Sequence, residues 1–167
     1  MQVSAETIKE LREKTGAGVM DCRKALDEAG GNMDKACELL IQRGIALAEK
    51  KATRVANQGI IETYVHSGGK IGVMVEINCE TDFAARTEQF KALAHDIAMQ
   101  IAAMSPQFVS REDIPPGTEC DPEAACLLLQ PFIKDPTKTI QNTITETVAK
   151  VGENIKVRRF IRFELGY

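Results

Sequence analysis

The chain has 167 residues, of which 21 are lysine or arginine and 24 are aspartate or glutamate, giving a formal net charge of −3 at pH 7. A chain of this length can bury a medium-sized core without disulfides or metal ions. The slight negative charge gives no general basis for binding nucleic acid or a membrane surface. The five cysteines form no C-x-x-C pair, which indicates reduced thiols rather than a disulfide framework or zinc site.

The first residues, "MQVSAETIKELREK", carry a charge every few positions and contain no apolar signal segment. The longest apolar runs elsewhere are far shorter than a bilayer crossing requires. The sequence therefore predicts a soluble, cytoplasmic protein without a membrane partner.

Residues 1–45 have the pattern of three short helices separated by glycine. Ser4 is placed to cap the first helix and Asn32 the third, which we expect to end before Gly44. The second is predicted over residues 18–29. Its inward face is expected to hold Val19, Cys22, Leu26 and Ala29. Together these patterns predict a small three-helix module.

Residues 46–57 are charged and lack a continuous apolar face, which predicts a linker that is partly helical. The apolar period then changes from 3.6 to 2. Two alternating segments, "GIIETYVH" and "KIGVMVEINCE", flank the turn residues Ser67, Gly68 and Gly69. This pattern predicts a β-hairpin.

The remainder of the predicted core, which spans residues 58–167, alternates helix and irregular chain. A helix is expected from Thr87, and all six prolines lie between residues 105 and 138, where we predict loop with one short helix. A last helix should end at Gly152. A strand should follow it, with Val157, Arg159, Ile161 and Phe163 on one side. This order predicts an α+β fold in which helices pack on an antiparallel sheet.

No residue pattern indicates an enzyme, a metal site or a cofactor. His66 and His95 have no partners at metal-ligand spacing, and the acids near Cys79 disfavour a reactive thiolate. The basic residues of the last strand are Arg158, Arg159 and Arg162. Because acids are interleaved nearby, they indicate a solvated sheet face rather than a nucleic-acid surface. The sequence is best interpreted as that of a protein-binding protein.

Two long segments, "LREKTGAGVMDCRKAL" and "VEINCETDFAAR", resemble the signature segments of bacterial elongation factor Ts, and "KVGENIKVRRFIRFELG" extends the likeness. Ala84 stands where a valine is usual in the family, and Thr87 where asparagine or aspartate is common. The chain is also short, with room for one core unit rather than two.

The resemblance implies a guanine nucleotide exchange factor, not an enzyme, that promotes GDP release from the translational GTPase elongation factor Tu. It implies that the N-terminal module, similar to a ubiquitin-associated domain, docks on the GTPase through Arg12, Val19 and Met20, with Lys51 beside them. For Val19 and Met20, packing within the small module is the alternative.

The same resemblance implies that Asp82 and Phe83 form the exchange site, with the ring wedged between GTPase helices and the acid disturbing the magnesium ligands. From the periodicity alone there is a second interpretation. Phe83 lies two turns before Phe90 on the same apolar stripe and could be a core residue, with Asp82 as the helix N-cap.

Two further expectations concern partners. Because the chain is short, we expect a homodimer through the core sheet, as in short members of the family. The alternative function is that of an adaptor whose three-helix module binds another protein, with the core as a scaffold.

Overall fold

A computed structural model describes residues 3–167, so the first two residues of the predicted N-terminal module lie outside it. The fold is α+β, as predicted, with helices followed by an antiparallel-sheet core. The elements in chain order are α1 (Ala5–Thr15), α2 (Val19–Glu28), α3 (Met33–Lys51), β1 (Gln58–Val65), β2 (Ile71–Cys79), α4 (Asp82–Ala85), α5 (Glu88–Met104), α6 (Pro122–Ala125), β3 (Pro131–Phe132), β4 (Asp135–Thr139), α7 (Ile140–Val151) and β5 (Ile155–Glu164). No helix in this range has the length and apolar character of a membrane span.

The first three helices enclose a small core of their own. Side-chain oxygens of Ser4 and Asn32 accept backbone N–H groups at the starts of α1 and α3, which confirms both predicted caps. The fully buried residues are Leu11, Cys22, Ala25, Leu26 and Ala36. Val19 was predicted to face this core and does not. It occupies the first position of α2 and is half exposed.

Helix α3 is longer than the sequence pattern indicated, because it continues through Gly44 to Lys51. Gly44 is buried against α7, where an added Cβ would lie 3.4 Å from the Cβ of Ala149. The glycine therefore permits two helices to approach closely instead of ending one. Helix α3 crosses the first predicted boundary, at residue 45. The division into module 1–45, linker 46–57 and core 58–167 stays a prediction.

The core sheet has the strand order β1-β2-β5, with both pairs antiparallel. Gly68 and Gly69 have positive φ in the turn between β1 and β2, which confirms the predicted hairpin. Helices α5 and α7 cover one face of the sheet. Their buried apolar residues are Phe90, Leu93, Ala94, Ile97, Ala98, Ile101, Ala102, Ile140, Ile144 and Val148.

A β-bulge interrupts the pairing of β2 with β5. Glu76 lies opposite Arg159, whereas the next residue of β2, Ile77, lies opposite Val157. Arg158 is therefore the additional residue on β5. One consequence is that Val157 lies on the helix-covered side of the sheet while Arg159 lies on the other, although the sequence pattern predicted a single alternation.

The outer face of the sheet carries exposed apolar side chains. The register places Met74 beside Ile161, and Gly72 between Val65 and Phe163. With Ile61, these residues form the outer sheet face, defined as Ile61, Val65, Met74, Ile161 and Phe163.

The proline-rich segment contains more structure than predicted: besides the short α6, it forms the small hairpin β3-β4. Two buried amides hold it on α5. The Gln100 Nε2 group donates to the Gln130 side chain and to the Pro131 carbonyl, both at 3.1 Å. The Gln100 Oε1 atom accepts the Ile133 N–H at 2.9 Å. These contacts are long-range and leave no periodic signal in the sequence.

Candidate functional site

The corner between β2 and α5 is a separate one-turn helix, α4. Thr81, not Asp82, is its N-cap: the Thr81 side chain accepts the Ala84 N–H at 3.3 Å. A second cap, Thr87, then begins α5. The N-cap alternative for Asp82 is therefore wrong, because Asp82 is the first residue inside the helix.

Phe83 points away from the core, with 75% of its surface exposed. Ala84 and Ala85 form the inner side of α4 and are buried in the main core. Phe90, by contrast, is fully buried on α5. The interpretation of Phe83 as a core residue continuous with Phe90 is therefore excluded.

Asp82 lies beside this ring and forms an ion pair on the surface. Its Oδ2 atom is 2.7 Å from the Nη2 atom of Arg86, one turn further on; the Arg86 side chain is largely exposed and that of Asp82 is half exposed. An exposed pair of this type is worth only about 0–1 kcal/mol, so a partner can separate it at little cost.

A shallow depression of about 300 Å³ adjoins the Phe83 ring. Its lining residues are Phe83, Ala84, Thr87, Gln89, Lys150, Val151 and Glu153. The depression therefore combines residues of the corner with the C-terminal end of α7. Gln89, Lys150 and Glu153 were not predicted as site residues from the sequence. The available signal was "GEN", Gly152 to Asn154, which places polar residues in a tight connection between a helix and a strand.

The turn from α7 to β5, which we call the 152–154 loop, forms hydrogen bonds with the corner. The carboxylate of Glu153 accepts the Thr81 N–H at 2.9 Å and the Thr81 hydroxyl at 2.6 Å. The carboxylate of Glu80 accepts the Asn154 N–H at 2.7 Å. Three hydrogen bonds thus connect two segments that are more than seventy residues apart in the chain.

The same loop contacts the end of α3. The amide side chain of Asn154 donates to the Arg54 carbonyl at 2.7 Å, and the Lys51 ammonium donates to the Gly152 carbonyl. Lys51 thus contributes to the last turn of α7, where a cation is favoured by the helix dipole. Its ammonium retains two further N–H donors.

The other predicted contact residues lie on the N-terminal helices. Val19 and Met20 begin α2 and are 50% and 60% exposed, so neither packs fully into the module. Arg12 is exposed on α1. These three residues flank the α1–α2 turn.

This turn lies next to the depression beside Phe83. A Cβ atom added at Gly16 would be 2.7 Å from the Cε atom of Lys150, so the turn rests on the Lys150 side chain. Lys150 in turn lines the depression. Lys150 thus contacts both the turn that precedes Val19 and Met20 and the depression beside Phe83.

The chemistry of the corner is that of a contact surface. Burial, together with the nearby Glu153 carboxylate, raises the pKa of Cys79 to about 11, so its thiol is protonated at neutral pH. The thiol donates to the Thr81 carbonyl at 3.1 Å. Within residues 3–167, no three His, Cys, Asp or Glu side chains are grouped so that they could hold a metal ion.

Comparison with known proteins identifies relatives over the whole chain. The family model "Elongation factor TS" matches residues 4–119. The chain is 49% identical to elongation factor Ts of Carboxydothermus hydrogenoformans, over 98% of the chain and 89% of that protein. It is 51% identical to elongation factor Ts of Thermodesulfovibrio yellowstonii, over 99% of the chain and 98% of that protein.

The alignment with the Carboxydothermus protein spans 194 positions, which exceeds the 167 residues of the chain. That relative therefore contains internal segments that this chain lacks. The chain is a short form of the sequence type that it matches.

Proposed function

This chain belongs to the elongation factor Ts family and has a role in translation elongation, and on that premise we propose that it is the guanine nucleotide exchange factor of elongation factor Tu. The observation that supports this function most directly is the exposed ring of Phe83 on a corner held by hydrogen bonds from the 152–154 loop. In this proposal the protein is not an enzyme, uses no cofactor, does not contact nucleic acid directly and acts in the cytoplasm.

The proposed mechanism uses the ring as a wedge. Phe83 enters between helices of the GTPase near its magnesium site, while Asp82 leaves Arg86 and disturbs the magnesium ligands. Burying a phenylalanine side chain contributes about 1.5–3 kcal/mol, which offsets part of the cost of distorting the nucleotide site. Reciprocity then requires that bound GDP weaken the exchange factor by the same factor as the exchange factor weakens GDP.

The N-terminal module supplies a second contact in this proposal. Arg12, Val19 and Met20 dock on the nucleotide-binding domain of the GTPase, and Lys51 adds its remaining N–H donors. Met20 suits this role because an exposed, flexible thioether adapts to a partner surface. Because the α1–α2 turn and the depression beside Phe83 both contact Lys150, docking of the module brings the corner towards the nucleotide site.

We also propose that the protein forms a homodimer through the core sheet. The outer sheet face exposes five large apolar side chains, and a second copy would bury them against an identical set. The pairing would give the assembly two core units, which matches the larger number in long members of the family.

The test is the release of a fluorescent GDP analogue from elongation factor Tu. We expect the wild-type protein to accelerate release, and Phe83→Ala or Asp82→Ala to reduce the acceleration by about 10- to 100-fold, as loss of about 1.4–2.7 kcal/mol of transition-state stabilisation predicts. Tyr167→Ala, which removes a fully exposed ring outside the corner, is the matched control.

The outcomes separate the two candidate functions. Release that does not respond to the wild-type protein would contradict the exchange function. If the N-terminal module still bound a partner through Val19 and Met20 in that case, the adaptor function would remain.

A further inference from the structure

The side chain of Glu153 makes both of its short contacts with one residue, Thr81. Its two oxygens accept the backbone N–H and the hydroxyl of Thr81, at 2.9 and 2.6 Å. Thr81 is at the same time the N-cap of α4, through its bond with the Ala84 N–H. The contact therefore joins the turn after α7 to the residue that starts the helix of Phe83.

The backbone on both sides of Glu153 is held in place. Gly152 ends α7 in the left-handed conformation, with φ at 79°, and its carbonyl accepts the Lys51 ammonium. Asn154 is buried, and its side chain and backbone N–H donate to groups of two other segments. The carboxylate of Glu153 is therefore presented from a rigid base.

Helix α4, in contrast, has little stability of its own. It contains four residues, which is a single turn, and the first turn of a helix is the costly step in helix formation. The position of the capping residue, Thr81, therefore has a large effect on the geometry of α4. A displacement of Thr81 would move the ring of Phe83, which lies two residues further on.

We propose that Glu153 is a positioning residue of the exchange site: by holding Thr81 it fixes α4 and thereby the direction of the Phe83 ring. This inference rests on the proposed exchange function and extends it to a residue whose short side-chain hydrogen bonds both go to Thr81. The action is geometric: it depends on the reach of two hydrogen-bond acceptors and not on the negative charge of Glu153.

Three substitutions distinguish the reach of the Glu153 side chain from its negative charge as the cause of the effect. Glu153→Ala removes both hydrogen bonds, and Glu153→Asp keeps the charge but withdraws the carboxylate by about 1.5 Å, one C–C bond. For both we expect maximal GDP release to fall about tenfold or more, since misplacement by about 1 Å can cost that much or more. The concentration of GTPase that gives half-maximal release should change much less.

Glu153→Gln keeps the reach and removes the charge. Its oxygen can accept the Thr81 N–H, and its NH₂ group can donate to the Thr81 hydroxyl oxygen. Because neutral hydrogen bonds are about half as strong as charged ones, we expect release to stay within about threefold of wild type. The reverse order, with Asp active and Gln inactive, would overturn the geometric role.

Combined substitutions test whether the effect passes through α4. In the background of Asp82→Ala with Phe83→Ala, which removes both proposed contact side chains of α4, Glu153→Ala should cause no further loss of release. A full additional loss in this triple variant would contradict the proposal. Thr139→Ala, which removes the cap at the opposite end of α7, serves as a control for general destabilisation and should leave release near wild type.

A measurement on the free protein separates this inference from the exchange function. Hydrogen exchange at the amides of Ala84 and Ala85 should be faster in Glu153→Ala and Glu153→Asp than in wild type, and nearly unchanged in Glu153→Gln. If these amides keep their protection in Glu153→Ala, the positioning role is wrong. If wild type shows no exchange activity but the protection pattern is as expected, only the proposed function fails.

Discussion

The direction of the Phe83 ring depends on its two neighbours, Ala84 and Ala85. Both are buried in the main core, and α4 is a single turn, so the side that holds two small residues lies against the sheet. A bulky ring cannot share that side without displacing the helix. The exposure of the Phe83 ring is thus a consequence of the burial of Ala84 and Ala85 on the opposite side of α4.

Glu80 gives the corner a dependence on pH. The Asn154 N–H and the Arg54 guanidinium lower the pKa of Glu80 below its usual value near 4.5. A lowered folded-state pKa contributes stability above the pKa of the unfolded chain, and this stability is lost as the pH falls through the folded-state pKa.

We therefore expect Glu80→Gln to reduce the free energy of unfolding at pH 7 and to matter progressively less as the pH falls through the lowered pKa of the wild-type carboxylate. Urea denaturation across this range measures the difference between the two proteins. The exposed Glu88→Gln is the control. A difference that grows on acidification would contradict the role assigned to the Glu80 carboxylate.

The sequence predicted which residues form the corner but not how they are oriented. The seven-residue spacing from Phe83 to Phe90 places both rings on one face only if a single helix contains both. The second cap, Thr87, begins a new helix between them, so the two rings point in different directions. The contact of Glu153 with Thr81 joins residues 72 positions apart, and Lys150 meets Gly16 across a still longer separation. Such contacts depend on tertiary packing, which a local pattern does not encode.

Among the elements, α3 differs most from what the sequence predicted. It was predicted as a short helix followed by a linker, yet it is continuous to Lys51 and packs on α7 at Gly44. A glycine within a helix costs about 1 kcal/mol relative to alanine, and here the close approach of two helices compensates for it. The long stripe of α5, by contrast, was predictable because seventeen residues repeat one strong period.

Gly44→Leu should lower the free energy of unfolding by about 1–3 kcal/mol, because the added side chain meets Ala149 on α7. The matched control is Ala46→Leu, two residues further on and exposed. Thermal or urea unfolding gives the comparison. Equal stability of the two variants would mean that α3 and α7 can separate without loss.

For the whole molecule, the outer sheet face decides the proposed assembly. Phe163→Asp places a charge on this face, and burial of an unpaired carboxylate opposes association. We expect wild type to have the mass of a dimer in light scattering at micromolar concentration, and the variant that of a monomer. Val55→Asp, at an exposed apolar residue outside the sheet, should leave the mass unchanged. A monomeric wild type would remove the proposal.

The bulge at Arg158 has a consequence for the length of the chain. Strand β5 has apolar side chains on both faces because the extra residue shifts its alternation partway along, so that Phe160 joins Val157 on the inner side and Ile161 lies outside. Deleting Arg158 itself would let Arg159 follow Val157 directly, and a regular alternation would then keep the neighbouring side chains on their present faces. A one-residue deletion elsewhere in the strand would instead exchange the faces of the residues beyond it, which no single substitution can do. In this strand the spacing of residues is therefore as much a part of the structural information as their identity.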